Sequence, residues 1–300
     1  MGNNQNVNKI GFLTGDGNKI ILDLLPLKED ISKTLKPITK YLTVYVSNTG
    51  NDSTADGSQS KPFKKLQKAM DYLASNYYYT TLHQQVTIKF LSDYVETDYL
   101  QIRGILGQRT VDRLYLIIDG FGHKVVLNNL RVNKSKVILT NLEIKPTLDF
   151  GAGINSELYS QCHLSKTKVY IPSNVNLSYL IRCAYWSSFG FDKDVVFTTE
   201  AEAHTTNNIG QFLGVYCHSS FYPPEIVTFE KPLKFIDSVF YCSENSEMRI
   251  GKNVQFIGGE TIDARKYHIR SSSVINVYGR GPTILPGNKE GLVEGNGYFG

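Results

Sequence analysis

The sequence predicts an all-β chain wound as a parallel β-helix, with one α-helix capping its N-terminal side. Three observations carry that prediction. Strand-favouring aromatics are plentiful, with 19 Tyr and 15 Phe against three Met. A short cassette, Val-x-(Leu/Ile/Phe), recurs at Val125, Val137, Val169, Val195, Val227 and Val254. A second landmark, centred on cysteine, keeps step with it: QCHLS, RCAYWSS, YCHSS and YCSENS, each followed by a Val cassette. Apolar positions two apart share one face of a strand, so each cassette is one short strand. Strands repeating every twenty to thirty-odd residues fit coils stacked about 4.8 Å apart. A sandwich of antiparallel hairpins would instead need tight Asn-Gly or Asp-Gly turns between cassettes, and none stands there beyond residue 80. If the cassettes are coils, Val125, Val195, Val227, Val254, Phe197, Phe229 and Phe256 face inward in columns.

The elements follow in order. KIGFLT and KIILDL flank GDGN and read as a hairpin, because Gly and Asp tolerate the positive φ such a turn requires. A charged stretch with Pro26 and Pro37 reads as a connector. LTVYVS alternates as a strand, and NTGNDSTADGSQSK is a loop dense in turn formers. The period then changes: Phe63, Leu66, Ala69, Met70 and Leu73 fall on one helical face, with Pro62 in the first turn. An amphipathic helix there can cover the unpaired edges and open apolar core at the end of a coil stack. Four segments result: 1–40 as a connector, 41–80 as the opening strand and capping helix, 81–280 as the coils, and 281–300 as the closing segment.

Composition narrows the function. At 41% hydrophobic and 20% charged, the chain can fill a core. Its net charge of +4, from 32 basic and 28 acidic residues, is too balanced to indicate nucleic acid. Lys64, Lys65 and Lys68 lie on the outer face of the predicted helix, a solvated face. No apolar run reaches the roughly 18 residues of a membrane span. MGNNQNVNKI lacks a basic patch followed by an apolar stretch, so no cleaved signal peptide is expected. Asn6 breaks a myristoylation motif at Gly2. Cys162, Cys183, Cys217 and Cys242 lack CxxC spacing and read as thiols made in a reducing cytosol, forming an inward ladder of small apolar groups. His163 and His218 follow their cysteines alike, but Ala184 intervenes. Two coils separate them by about 9.6 Å, too far for one metal ion. No metal or cofactor is expected.

Glycoside hydrolysis needs two carboxyl groups at about 5–9.5 Å. Aligning the units on Phe197, Phe229 and Phe256 leaves no column with two. Asp194 and Glu225 are the nearest pair, offset by one and thus on opposite faces of a regular strand; Asp192, Glu244 and Glu247 fall in loops. The aromatic insertions are more telling. Tyr185 and Trp186, with Phe189 and Phe191, follow Cys183; Phe221, Tyr222, Pro223 and Pro224 follow Cys217. They fall between the same two landmarks and should emerge on one side of the stack. Tyr185, Trp186 and Tyr222 suit sugar recognition, an apolar ring covering a sugar face while its polar edge stays wet. The alternative is that they seal the flank of the coil or a subunit seam.

YVSNTGNDSTADGSQSKPFKKLQKAMDYL resembles the opening of the β-helix in bacteriophage tail fibre and tailspike proteins, and VYGRGPTILPGNKEGLVEGNGYFG resembles their closing segment. The resemblance spans roughly residues 41–300. It implies a right-handed, pectate-lyase-like parallel β-helix in a virion tail component, made in the host cytoplasm. Such a component is usually a homotrimer that contacts host-surface polysaccharide, with residues 1–40 attaching it to other tail or virion proteins. The expected function is non-enzymatic host attachment without nucleic-acid binding or membrane insertion. A polysaccharide depolymerase and a purely structural virion protein are the alternatives.

Overall fold

The computed structural model describes residues 9–13, 19–23, 35–39, 41–79, 85–105, 115–149, 151–206, 208–222 and 226–300. From Leu42 onward the chain builds three stacks of parallel strands. The first begins with Leu42–Val46, Val86–Phe90 and Leu116–Asp119, then takes the leading halves of two long strands, Lys136–Ile144 and Gln161–Tyr170. It continues through Ser188–Phe191, Ser220–Tyr222, Glu247–Arg249 and Val274–Asn276 to Tyr298–Phe299. The second comprises Tyr94–Val95, Val125–Leu127, the trailing halves of the same long strands, Val195–Thr198, Ile226–Phe229 and Gln255–Ile257. The third runs Leu100–Arg103, Leu130–Asn133, Gly151–Glu157, Leu177–Ala184, Ile209–Val215, Leu233–Cys242, Ile262–Ile269 and Leu292–Val293.

From Val86 to Ile269 the chain visits first, second and third stacks in that order before starting again. The long strands pass through the corner between the first two stacks, joining them in one 15-stranded sheet; the third is a separate eight-stranded sheet. The cassettes at Val195 and Val227 pair parallel, in register. The chain is therefore all-β with long parallel sheets, a β-helix-like arrangement, and the antiparallel sandwich does not describe it.

Registers show what the stacks bury. Val86, Leu116, Val137, Cys162, Phe189, Phe221, Met248 and Ile275 form one in-register column of the first stack, buried at every level. Between the sheets Phe212 meets Phe197 at 4.7 Å, Phe229 at 5.4 Å and Phe235 at 5.8 Å, ring centre to ring centre. Val125, Val195, Val227, Val254, Phe197 and Phe229 are buried as expected. Phe256 pairs with Val227 and not with Phe229, and it is only half-buried, its strand being the last of the second stack. The cassettes are not equivalent levels either: Val169 sits opposite Phe197, and Val137 belongs to the first stack. They report local alternation, which any half-buried strand shows, and not register.

The cysteine ladder is corrected for the same reason. Cys162 lies in the first stack; Cys183 and Cys242 lie in the third, separated by Val215; Cys217 follows the third stack in a turn. All four are free thiols.

The capping helix, α1, spans Leu66–Asn76 and buries Leu66, Ala69, Met70 and Leu73. Phe63 is buried too, but outside the helix: it bridges Val46 in parallel, its N–H donating to the Tyr45 carbonyl. The Asp52 carboxylate accepts from the Lys64 and Lys65 N–H groups just before the first turn. Pro37, expected in a connector, lies in a short strand, Lys36–Ile38, parallel to Tyr77–Tyr79 at the end of the helix. Lys9–Leu13 and Lys19–Asp23 pair antiparallel as the hairpin reading requires. Its GDGN turn and Pro26 lie outside the described residues.

Candidate functional site

The corner where the third stack turns into the first is built the same way coil after coil. Two consecutive residues take left-handed backbone and a buried serine follows: Leu158-Tyr159-Ser160, Tyr185-Trp186-Ser187, Cys217-His218-Ser219, Glu244-Asn245-Ser246 and Ser271-Ser272-Ser273. Each left-handed non-glycine residue costs about 1–2 kcal/mol, so the turn needs partners. It finds them in the next coil. Tyr159 N–H donates to the Tyr185 carbonyl at 3.0 Å, Trp186 to Cys217 at 3.0 Å, His218 to Glu244 at 3.0 Å and Asn245 to Ser271 at 3.1 Å. The N–H groups of Ser160, Ser187, Ser219 and Ser246 each donate to the next serine hydroxyl, at 3.0–3.2 Å. Such bonds contribute about 0.5–1.5 kcal/mol each, so a turn roughly breaks even and is held by its neighbours. The serine spacing is 27 residues, with one step of 32. That is the true repeat, and only its SS and NS fragments show in the cysteine-centred motif.

This backbone aims one outward position per coil along a single edge. Tyr159, Trp186 and His218 occupy successive levels and stack face to face. Ring centres are 5.6 Å apart between Tyr159 and Trp186 and 5.4 Å between Trp186 and His218, with planes within 9° and 6°. All three are exposed, Tyr159 and Trp186 at 54% each. Lys134, also left-handed and exposed, stands one level before Tyr159.

On the third-stack side the corner continues into a polar and aromatic strip. Glu157 is buried there and paired with Arg131 and, at 3.2 Å, with Arg182 on the adjacent coil. The Arg182 guanidinium lies 5.5 Å from the Tyr185 ring centre and 5.8 Å from that of Tyr216. Gly214 lets two tyrosines close over its backbone: a β-carbon there would come within 2.6 Å of the Tyr216 ring and 2.8 Å of the Tyr179 ring, which meet edge-on. Tyr216 stacks on Tyr241 at 5.1 Å, and Tyr241 meets His268 edge-on at 5.2 Å.

Of the residues singled out from sequence, Tyr185 and Trp186 stand on this corner. Tyr222 does not. It lies on the flat of the first stack, outward beside Gly190, with the Arg249 guanidinium 5.8 Å from its ring. Asp194 is exposed and left-handed, a turn residue at the opposite corner, between the first and second stacks; Glu225, Pro223 and Pro224 lie outside the described residues. His163 and His218 are not equivalent: His163 sits on the first stack with Nδ1 3.0 Å from the Asp192 carboxylate, while His218 is a corner ring. Glu244 accepts a hydrogen bond from the Cys217 thiol at 2.6 Å, and Glu247 is paired with Arg249.

Sequence reading missed two groupings. Tyr159 and His218 flank Trp186 only because of coil register, which no local motif discloses. Asp237 and Glu294 are brought together by His268, whose two ring nitrogens each lie 3.0 Å from one of them. Both carboxylates are engaged: Asp237 also accepts from Gln211, and Glu294 is held by Arg270 at 2.9 Å. The His268 contact, with Arg270 beside it, holds the Glu294 carboxyl below its ordinary range. Among the described residues no three His, Cys, Asp or Glu side chains converge to hold a metal ion, and no helix is long and apolar enough to cross a membrane.

Fold and site together define a parallel-stranded β-stack carrying an exposed, rigidly mounted aromatic edge. The chain matches no protein-family model, no curated protein and no solved structure.

Proposed function

We propose that this chain is a bacteriophage tail fibre or tailspike component, its stacks closed into a right-handed pectate-lyase-like β-helix, that attaches to host-surface glycan without cleaving it. One observation carries the binding reading: the Tyr159–Trp186–His218 ladder, exposed on a hydrogen-bonded turn. An exposed row of rings offers a sugar chain apolar surface with polar edges, and each ring contact of this kind adds about 0.5–1.5 kcal/mol beyond the area it covers. Rings mounted on a turn that the stack already fixes lose little freedom on binding. The three parallel stacks and the helix at their beginning support the β-helix reading. On the same reading the chain trimerises, residues 1–40 join other tail proteins, and the protein resides in the virion.

The test is attachment to host cells or purified surface glycan, measured together with release of reducing ends. Trp186→Ala is expected to weaken monovalent binding up to about tenfold, amplified if three copies engage one surface, and Asp194→Asn to change nothing. Normal attachment by Trp186→Ala would remove the reading. Cleavage abolished by Asp194→Asn would put the depolymerase in its place.

A further inference from the structure

We infer that the aromatic corner takes an anionic glycan, its acidic groups facing Arg182 and Lys134 beside the rings. This rests on the glycan-binding reading and adds the class of sugar. Arg131 and Arg182, on either side of Glu157, share that one buried carboxylate. Two guanidinium groups facing one carboxylate leave one positive charge over. Arg182 presents it beside Tyr185, next to Trp186 in the chain, and its side chain remains 25% exposed. Lys134 adds a second charge, exposed at the level before Tyr159. The carboxylates along this edge, Glu244 and Glu247, belong to the level beyond His218. Glu244 is engaged with Cys217 and Glu247 with Arg249. The ring ladder is thus cationic at its Tyr159 end. A guanidinium fork matches a carboxylate or phosphate oxygen pair, and held by Glu157 it loses little freedom on binding.

Trp186 is the only tryptophan in the chain, so tryptophan fluorescence reports on this corner alone. The experiment titrates the full chain with trigalacturonate, with its carboxyl-reduced neutral counterpart, and with the same neutral trisaccharide bearing one phosphate. Both acidic probes are expected to half-saturate the signal at about tenfold lower concentration than the neutral one, the gap narrowing as salt is raised. A gap for one acidic probe only assigns the acidic group to carboxylate or to phosphate. Arg182→Gln and Lys134→Asn are each expected to shrink the gap severalfold. Lys134→Asn touches neither Glu157 nor the core and keeps a residue that accepts left-handed backbone, so it carries the test if Arg182→Gln does not fold. Equal half-saturation by all three probes, a full gap in both variants, or no response to any probe overturns the inference. The glycan reading is decided separately: normal attachment by Trp186→Ala sinks that reading, whereas weakened attachment without acid preference sinks the inference alone.

Discussion

Cys217 and Trp186 show how much a residue's chemistry depends on its level in the stack. Burial pushes the Cys183 and Cys242 thiols up to about 12, and it pushes Cys162 up as well. Cys217 is raised by burial first and then by the Glu244 carboxylate to which its S–H donates a hydrogen bond. Only the thiolate reacts. Alkylation of the native protein at mildly alkaline pH is therefore expected at Cys217 alone, slowly, with the other three labelled only after denaturation. Glu244→Gln removes the nearby anion, lowers the thiol pKa and should speed labelling of Cys217; mass spectrometry of the digested protein reads both. Trp186 was legible in the sequence as a lone tryptophan in a turn. Its stacking partners were not, since Tyr159 and His218 reach it only through coil register.

At the scale of the element, the corner turn ties each coil to the next. Ser187 is buried, and its hydroxyl accepts the Ser160 N–H at 3.0 Å. Ser187→Ala leaves that N–H buried without a partner, a loss of about 1–3 kcal/mol, measurable as a lower midpoint in chemical denaturation. The core should respond more. Phe212, fully buried among Phe197, Phe229 and Phe235, is expected to cost about 3–5 kcal/mol on replacement by Ala. The capping helix was readable from its 3.6-residue period, but its start was not. Phe63 fits the same apolar face, yet its backbone is claimed by a bridge to Val46. The Val cassettes likewise announced strands and their inward faces while saying nothing of level, because alternation survives a shift of two residues unchanged.

Across the whole molecule, parallel stacking was legible in the repetition of short strands, whereas the 27-residue repeat was hidden by the 32-residue coil. The end of the stack is held partly by charge, through Glu294 on His268 and Arg270. Glu294 is depressed below its ordinary 4.5 in the folded chain. What it contributes is therefore present above that value and lost as pH falls through the folded one. Hydrogen-exchange protection over 292–299, taken relative to the intrinsic rate at each pH, should fall on acidification before that of the coils of 151–249, and Glu294→Gln should abolish that early step. Trimerisation is tested by light scattering at micromolar concentration, where three times the 33.7 kDa chain mass is expected; a value near the single-chain mass would refute it.

The repeated corner turn has a consequence for how such a surface can change. Its geometry is secured by backbone bonds and by serines, so the outward side chain at each level does little for folding. The chain itself illustrates the freedom, placing Lys134, Tyr159, Trp186, His218, Asn245 and Ser272 at one position of six successive turns. The edge is a row of interchangeable characters on a fixed line, where a single substitution rewrites one of them and leaves the backbone of the next in place.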